Sequence, residues 1–488
     1  SYSASLLEIA ESKAFMYVLT KNRDVGREAV NIVVNYIRRV YISESATDAA
    51  MRAAGHVIYI GSCVYDWCYD LFTPEERSMF IEAAEELATK NFETGYPVIQ
   101  TLNGKTFTGH ECENPVLKDL LAFSIAVYDE KPSVYNNIVG LIYDNYIQTR
   151  NVWYTGEYNH QGSDITYGTY RVYFDACSLW MLDAIGQSNI YIENFKNIPY
   201  QFIYMRRPDG NFLADGDNSI LEYRNKLRYN DNALYFLVGN YYKDATIKHR
   251  YYKDRPERDY TSNSYIGVSP ALYLICNDVS VELDNTKKLP LTRYFGSPIG
   301  VMTARTGWEN GVGSPVALAV MKMYENYFGG HQHHEAGSFQ FYYKGMLALD
   351  SGVYESLPYR DGQGNYVAGS FWGSAHDVYY HKTTMAHNCL LVCDPNESDP
   401  WPVANGCQRH MPGDNGGPLS LASFLNGDNK SAEVVGYDYG PDLNRPMYSY
   451  IEADLKYAYG SKVSAYTRSF VFLNLFDEEI PAALLVYD

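Results

Sequence analysis

Three histidines in four positions open the densest chemical stretch of the sequence, FGGHQHHEAGSFQFYYKGMLALDSG at 328–352. In an extended backbone side chains at i and i+2 share a face, so His331 and His333 should point together while Gln332 and His334 point away. Asp350 closes the next two short strands, where a hairpin-like return could bring its carboxylate beside His333, and His387 in TTMAHNCLLV starts a further strand. Two imidazoles and a carboxylate suit Zn²⁺, which takes nitrogen and oxygen ligands in a tetrahedron. The plainer alternative is that Asp350 caps the DSG turn and the histidines are polar loop residues. A second stretch, GEYNHQGSDITYGTYR, sets Asn159, His160 and Gln161 side by side, three groups able to donate hydrogen bonds to a carboxylate or simply to form a loop with an N-cap. A third, RRPDGNFLADGDNSILEYRNKLRY, carries a PDG turn, the acids Asp215 and Asp217, then Tyr223 among Arg224, Lys226 and Arg228. With Arg206 and Arg207 these cations form either a sulfate-binding strip or solvated surface. GHECEN adds His110, Glu111 and Glu113, and paired carboxylates can serve a glycosidase as acid and base.

These residues need a large scaffold, and 488 residues exceed one compact core, so two or more large units are expected. Up to about residue 245 the apolar period is helical. In NPVLKDLLAFSIAVYDE, Val116, Leu117, Leu120, Leu121, Ile125 and Val127 recur at three- and four-residue steps. Thr73, Pro74 and Glu76 form a capping box, and Gly186 ends another helix. Residues 246–295 read as connection plus the last helical pieces. From 296 the period falls to two in SPIGVMTAR, SPVALAVMKMY, GSFQFYYKGMLALDSG, NCLLVCDP, YIEADLKYAYG and TRSFVFLNLF, the signature of antiparallel strands. The expected organisation is a helical domain at 1–295, compatible with an α/α toroid, and an antiparallel β domain at 296–488, with α and β elements segregated.

Composition narrows the chemistry. Forty basic against 58 acidic residues leave a net charge of −18, which argues against a general nucleic-acid binder. Forty-eight tyrosines suit an extended binding surface, because a phenol has an apolar face and a polar tip. Eight cysteines without a CxxC pair read as buried thiols. No apolar run is long enough to span a membrane. Both ends look cut: any signal peptide is already gone or was never there, and AALLVYD stops inside a strand-like run, as in a β domain truncated at its C-terminus.

Taken together, the stretches resemble heparinase II and the wider heparinase II/III-like polysaccharide lyases. FGGHQHHEAGSFQFYYKGMLALDSGVY is similar to that family's GHxHxDxGSF signature, with Glu335 where an Asp is common, and NHQGSD, RRPDGNFLADGDN, TTMAHN and YAYGSKVSAYTRSFVFL follow in the family's order. The resemblance implies an incomplete (α/α) toroid followed by an antiparallel β-sandwich, and cleavage of uronate-containing polysaccharides by β-elimination. It implies a structural zinc on His333, Asp350 and His387, with His331 beside it facing the cleft. His160 becomes the central catalytic histidine, Asn159 an adjacent amide, Gln161, Arg224 and Arg228 substrate-binding residues, and Tyr223 the catalytic tyrosine, with Tyr229 as alternative. It further implies heparin or heparan sulfate as substrate, a periplasmic or secreted location and a possible homodimer. Rival readings are a lyase on alginate, hyaluronan or chondroitin sulfate, an α/α-toroid glycoside hydrolase using Glu111, Glu113, Asp215 or Asp217, and a carbohydrate-binding protein without turnover.

Overall fold

The structure is a computed structural model that describes residues 1–43, 48–92, 95–97, 113–159, 167–219, 231–254, 267–284, 286–354, 359–360, 366–367, 374, 376–397, 406–413 and 419–488. It divides into two compact units. The first comprises Ser1–Gln148, Arg171–Tyr191 and Asn232–Leu283; the second comprises Thr149–Tyr170, Ile192–Asp231 and Asp284–Asp488.

The first unit is helical. Its elements are α1 (Ala4–Thr20), α2 (Arg23–Ile37), α3 (Asp48–Trp67), α4 (Pro74–Asn91), α5 (Leu121–Ala126, continuing a π-helical stretch from Asn114) and α6 (Pro132–Leu141). The helix α7 (Gln148–Tyr154) follows in the chain, then α8 (Gly168–Ala184), α9 (Ile198–Tyr204), α10 (Asp231–Tyr241), α11 (Ala245–Asp254) and α12 (Pro270–Cys276). The capping box at α4 forms as its sequence dictates: Thr73 Oγ1 accepts from Glu76 N, and the Glu76 carboxylate accepts from Thr73 N. Gly186 takes φ +89° just past α8, a left-handed conformation that only glycine enters without cost. Val116, Leu117, Leu120, Leu121 and Val127 are fully buried, as their spacing requires. Gly61 lets the Phe80 ring approach to where a Cβ would lie 2.6 Å from it, and Tyr65 stacks on Phe80 at 5.1 Å in the same core.

In the second unit two antiparallel meanders carry most of the structure. The strands β2 (Thr292–Phe295), β3 (Val301–Arg305), β4 (Ala317–Lys322), β5 (Ser338–Tyr343) and β6 (Met346–Ala348) pair in that order in one sheet. The strands β10 (Glu433–Gly440), β11 (Tyr448–Asp454), β12 (Thr467–Asn474) and β13 (Ala482–Tyr487) pair in order in another. Every residue of β3 and β4 is buried, which marks them as strands covered on both faces, whereas β5, β11 and β12 alternate in and out. The half-buried Phe339 and Phe341 of β5 meet the buried Phe470 and Phe472 of β12 at 5.6 Å and 6.3 Å, so the sheets pack face to face. Short pairings complete the unit: β1 (Asn218–Ser219) runs parallel to β7 (Val353–Tyr354), and β8 (Tyr359–Arg360) pairs with β9 (Tyr366–Val367).

NCLLVCDP departs from expectation, because residues 388–395 form no strand. Leu390 and Leu391 are exposed, and the run makes turn and loop bonds, Cys389 N to His387 O and Val392 N to Gly406 O, in place of a ladder. An apolar run becomes a strand only where a neighbouring edge accepts its backbone groups.

Candidate functional site

The site grows from the loop joining β4 to β5, which carries His331, His333 and Glu335. Gly329 and Gly330 enter it at φ +74° and +68°, and a Cβ on Gly329 would lie 2.9 Å from the Gly413 carbonyl oxygen. The expected alternation holds although the segment is loop. His331 and His333 turn to one side; Gln332 Oε1 accepts from Phe328 N, and His334 stacks on Tyr327.

What the two imidazoles face is Asp217, just before β1. His331 Nδ1 lies 2.5 Å from Asp217 Oδ2, and His333 Nε2 lies 2.8 Å from Oδ1. Lys382 Nζ is 3.3 Å from Oδ2. Burial alone would push the Asp217 carboxyl up, but the Lys382 charge and the hydrogen bonds from both histidines hold it well below the usual carboxylate range. The ionised carboxylate can only accept, so the His333 proton sits on Nε2 and its lone pair on Nδ1. Burial and the neighbouring His381 keep His333 neutral. His381 Nδ1 is 2.6 Å from Asp377 Oδ1 and 3.4 Å from Asp217 Oδ1.

On the other side of His333 lies a second set of donors. His387 Nδ1 is 2.9 Å from Asp350 Oδ1 and 3.6 Å from Glu335 Oε2. Asp350 Oδ1 also accepts from Gly352 N, so this residue both caps the DSG turn and meets a histidine. A Cβ on Gly352 would lie 2.7 Å from His387 Cε1, which explains the glycine there. Asp350 is held well below the carboxylate range against the effect of burial, by His387 and Lys322, and His387 is raised by Asp350 and Glu335. Lys322, the last residue of β4, lies 2.8 Å from Glu335 Oε2, 3.2 Å from Asp215 Oδ1 and 3.7 Å from Asp350 Oδ2. Glu335, Asp215 and Asp350 keep this buried ammonium protonated despite its desolvation.

These groups fit a metal ion. Asp217, His333 and His381 bring donor atoms within 4.8 Å of one another, and so do His333, Glu335 and His387. His333 Nδ1, His387 Nε2 and Asp350 Oδ2 are buried without a hydrogen-bond partner among the described residues. A neutral imidazole whose far nitrogen donates to a carboxylate is the usual arrangement of a histidine ligand, and Asp217 supplies that carboxylate. Asp350 belongs to neither close group; it meets the cluster through His387.

Asn159 is fully buried, and its side-chain amide donates to the Gly168 carbonyl at 3.0 Å. Gln201 clasps its backbone from both sides, Oε1 accepting from Asn159 N and Nε2 donating to Asn159 O. The preceding Tyr158 donates to Asp215 Oδ2 at 2.5 Å, and Tyr324 donates to Oδ1 of the same carboxylate. Tyr324 holds φ +47°, rare for a bulky residue, against this anchor. Arg207 is occupied by Asp209, and Arg206 is buried beside Phe212. His110, Glu111, His160, Gln161, Tyr223, Arg224, Lys226, Arg228 and Tyr229 lie outside the described residues. Glu113 is buried in the helical unit on Arg171, 3.0 Å away.

Lys322, Lys382, His381 and Asp377 carry no signal in the sequence stronger than their residue types. Asp217 stands out in the sequence as part of an acidic DGD turn and as a candidate hydrolase acid, not as a partner of the histidines.

Neither a protein-family model nor a curated protein sequence matches the chain. Solved structures do match in fold. A mutant of the heparan sulfate lyase HepC from Pedobacter heparinus superposes with a TM-score of 0.50 at 13% identity, covering 95% of this chain and 59% of that one. A heparinase III crystal structure gives a TM-score of 0.50 at 11% identity, covering 97% of this chain and 60% of that one. The chain thus spans about 60% of the length of these structures. Helices followed by antiparallel sheets, in a heparin lyase-like fold, is what the likeness establishes.

Proposed function

We propose that the chain is a polysaccharide lyase that cleaves a uronate-containing glycosaminoglycan, with heparin or heparan sulfate as first substrate, by β-elimination. The observation that carries this reading is that one buried carboxylate, Asp217, grips both His331 and His333, at 2.5 Å and 2.8 Å. It sets an imidazole beside a metal-competent cluster in a fold shared with heparan sulfate lyases.

The C5 hydrogen of a uronate lies α to a carboxylate, so removing it adds charge to a group already negative. Hydrogen-bond donors must neutralise that carboxylate first, the role we assign to His160 with Asn159 and Gln161. His331 then takes the C5 proton of one uronate epimer from one ring face. Tyr223, or Tyr229, takes that of the other, its phenol made more acidic than its unperturbed value of about 10 by Arg224 or Arg228. The C5–H and C4–O4 bonds break, a C4=C5 double bond forms, and O4 leaves with a proton given by the Tyr223 or Tyr229 phenol. His333, Asp350 and His387 would hold zinc, with Glu335 alongside; bound there, the ion supplies a fixed charge that pins the loop presenting His331. The toroid, the β-sandwich and their division near residue 295 belong to this reading, as do a periplasmic or secreted location and a homodimer.

The hydrolase alternative loses ground at Asp215 and Asp217. Both are buried and committed, one to Tyr158, Tyr324 and Lys322, the other to two histidines and Lys382. The test is a panel of heparin, heparan sulfate, chondroitin sulfate, hyaluronan and alginate followed by ultraviolet absorbance. Absorbing product from at least one, lost in His331→Ala or His160→Ala while polymer binding persists, supports the lyase. Binding without product from any polymer refutes it.

A further inference from the structure

His331 is only 2% exposed, and one face of its ring is covered by Tyr167, with centroids 3.5 Å apart and planes 15° from parallel. We propose that Tyr167 is a positioning residue for His331: the Tyr167 ring face and the Asp217 carboxylate together fix the plane from which His331 Nε2 meets the substrate. This inference rests on the lyase reading above.

A hydrogen bond in the plane of an imidazole does not by itself stop rotation about its own line. Asp217 constrains His331 within the ring plane, through Nδ1, and does not itself limit tilt about the Nδ1···Oδ2 line. A flat aromatic face against the ring removes that tilt, which a second hydrogen bond in the plane could not do as directly. With both constraints the direction of Nε2 is set. A second stack nearby shows the difference between packing and positioning. Tyr327 and His334 lie 4.6 Å apart and are both buried, and His334 faces away from Asp217 in the alternation of the loop. Tyr167, by contrast, keeps part of its surface in solvent while covering the histidine that Asp217 orients. Tyr167 is therefore placed where a polymer arriving from solvent meets the ring that holds the base. Its register follows from Gly168, whose carbonyl accepts from Asn159, so the segment carrying the stack is tied to the residue beside His160.

Two substitutions separate the ring from its hydroxyl. Tyr167→Ala should lower kcat about 10- to 100-fold on the uronate epimer served by His331, the size of loss that a slightly misplaced catalytic group produces, with KM changed less than about twofold. Activity on the other epimer should fall far less. Tyr167→Phe keeps the face and should restore kcat to within about twofold of the unsubstituted chain. An unchanged kcat in Tyr167→Ala, or a Tyr167→Phe variant as impaired as Tyr167→Ala, overturns the proposal. A readout independent of turnover is the ring-proton shift of His331 in isotope-labelled histidine spectra, assigned by its loss in His331→Gln. The phenol face should move it upfield, Tyr167→Ala should return it, and Tyr167→Phe should not. If no uronate polymer is cleaved yet the shift behaves this way, the lyase reading falls and the stack stands. If a polymer is cleaved and the shift ignores Tyr167→Ala, the positioning role alone is wrong.

Discussion

Replacing Asp217 by Asn keeps the shape of the side chain and removes its charge. The native carboxylate accepts from His331 and His333 and lies 3.3 Å from Lys382, all buried. Asn offers one acceptor oxygen and an NH₂ group, so one imidazole N–H meets a donor and the Lys382 charge loses its nearest carboxylate. Each charge-assisted bond is worth about 1.5–3 kcal/mol, and breaking a buried pair from one side typically costs about 3–5 kcal/mol, so the expected loss is about 4 kcal/mol. For a unit of this size that lowers Tm by about 10 °C. Thermal scans followed by circular dichroism, run in chelator and again with added zinc, measure it. Turnover should fall about 100-fold or more, because the same change frees His331 from its orienting partner. Asp217→Glu, which keeps the charge at a longer reach, should recover part of the stability and little of the turnover. If Asp217→Asn melts within about 1 °C of the unsubstituted chain and turns over normally, Asp217 is not the pivot of the site and the reasoning from its geometry is wrong.

Three further outcomes follow from other buried groups. Glu11, buried and bonded to Ser269, is pushed up to about 7 chiefly by desolvation. Its folded value exceeds its unfolded one, so its contribution is complete below about pH 4.5 and is lost as pH rises through 7, about 3 kcal/mol in all; Glu11→Gln should flatten the fall in Tm of the helical unit across that window. Lys322→Met strands Asp215, Glu335 and Asp350 without their shared ammonium and should destabilise the β-rich unit by about 3–5 kcal/mol, read by denaturant melts; a neutral outcome would mean that those carboxylates are protonated. Elemental analysis after dialysis against zinc should find one ion per chain, and His333→Ala or His387→Ala should each lose it while Lys382→Met retains it.

The sequence disclosed what is decided locally. The Thr73–Glu76 box is complete within four residues, Gly186 answers a backbone angle, and Phe339 and Phe341 alternate with their neighbours because a pleated strand has two faces. His331 and His333 shared a side for the same reason, even in a loop. Their partner was not legible, since Asp217 lies more than a hundred residues earlier and meets them through the fold, where its backbone N–H also bonds the His331 carbonyl. Lys322 closes an apolar strand and carries no signal beyond its residue type; only the fold shows that its neighbours across the site are carboxylates. Leu390 and Leu391 misled for the opposite reason, an apolar pattern that pairs with no strand among the described residues.

The most direct measurement is to digest the uronate polymer that is cleaved best in water enriched in heavy oxygen and weigh the fragments. Elimination consumes no water, so the new ends should carry no heavy oxygen and each non-reducing uronate should weigh one water less, with ultraviolet absorbance rising in step. Heavy oxygen in the new ends, with no absorbing product, would show hydrolysis and contradict proton abstraction at C5.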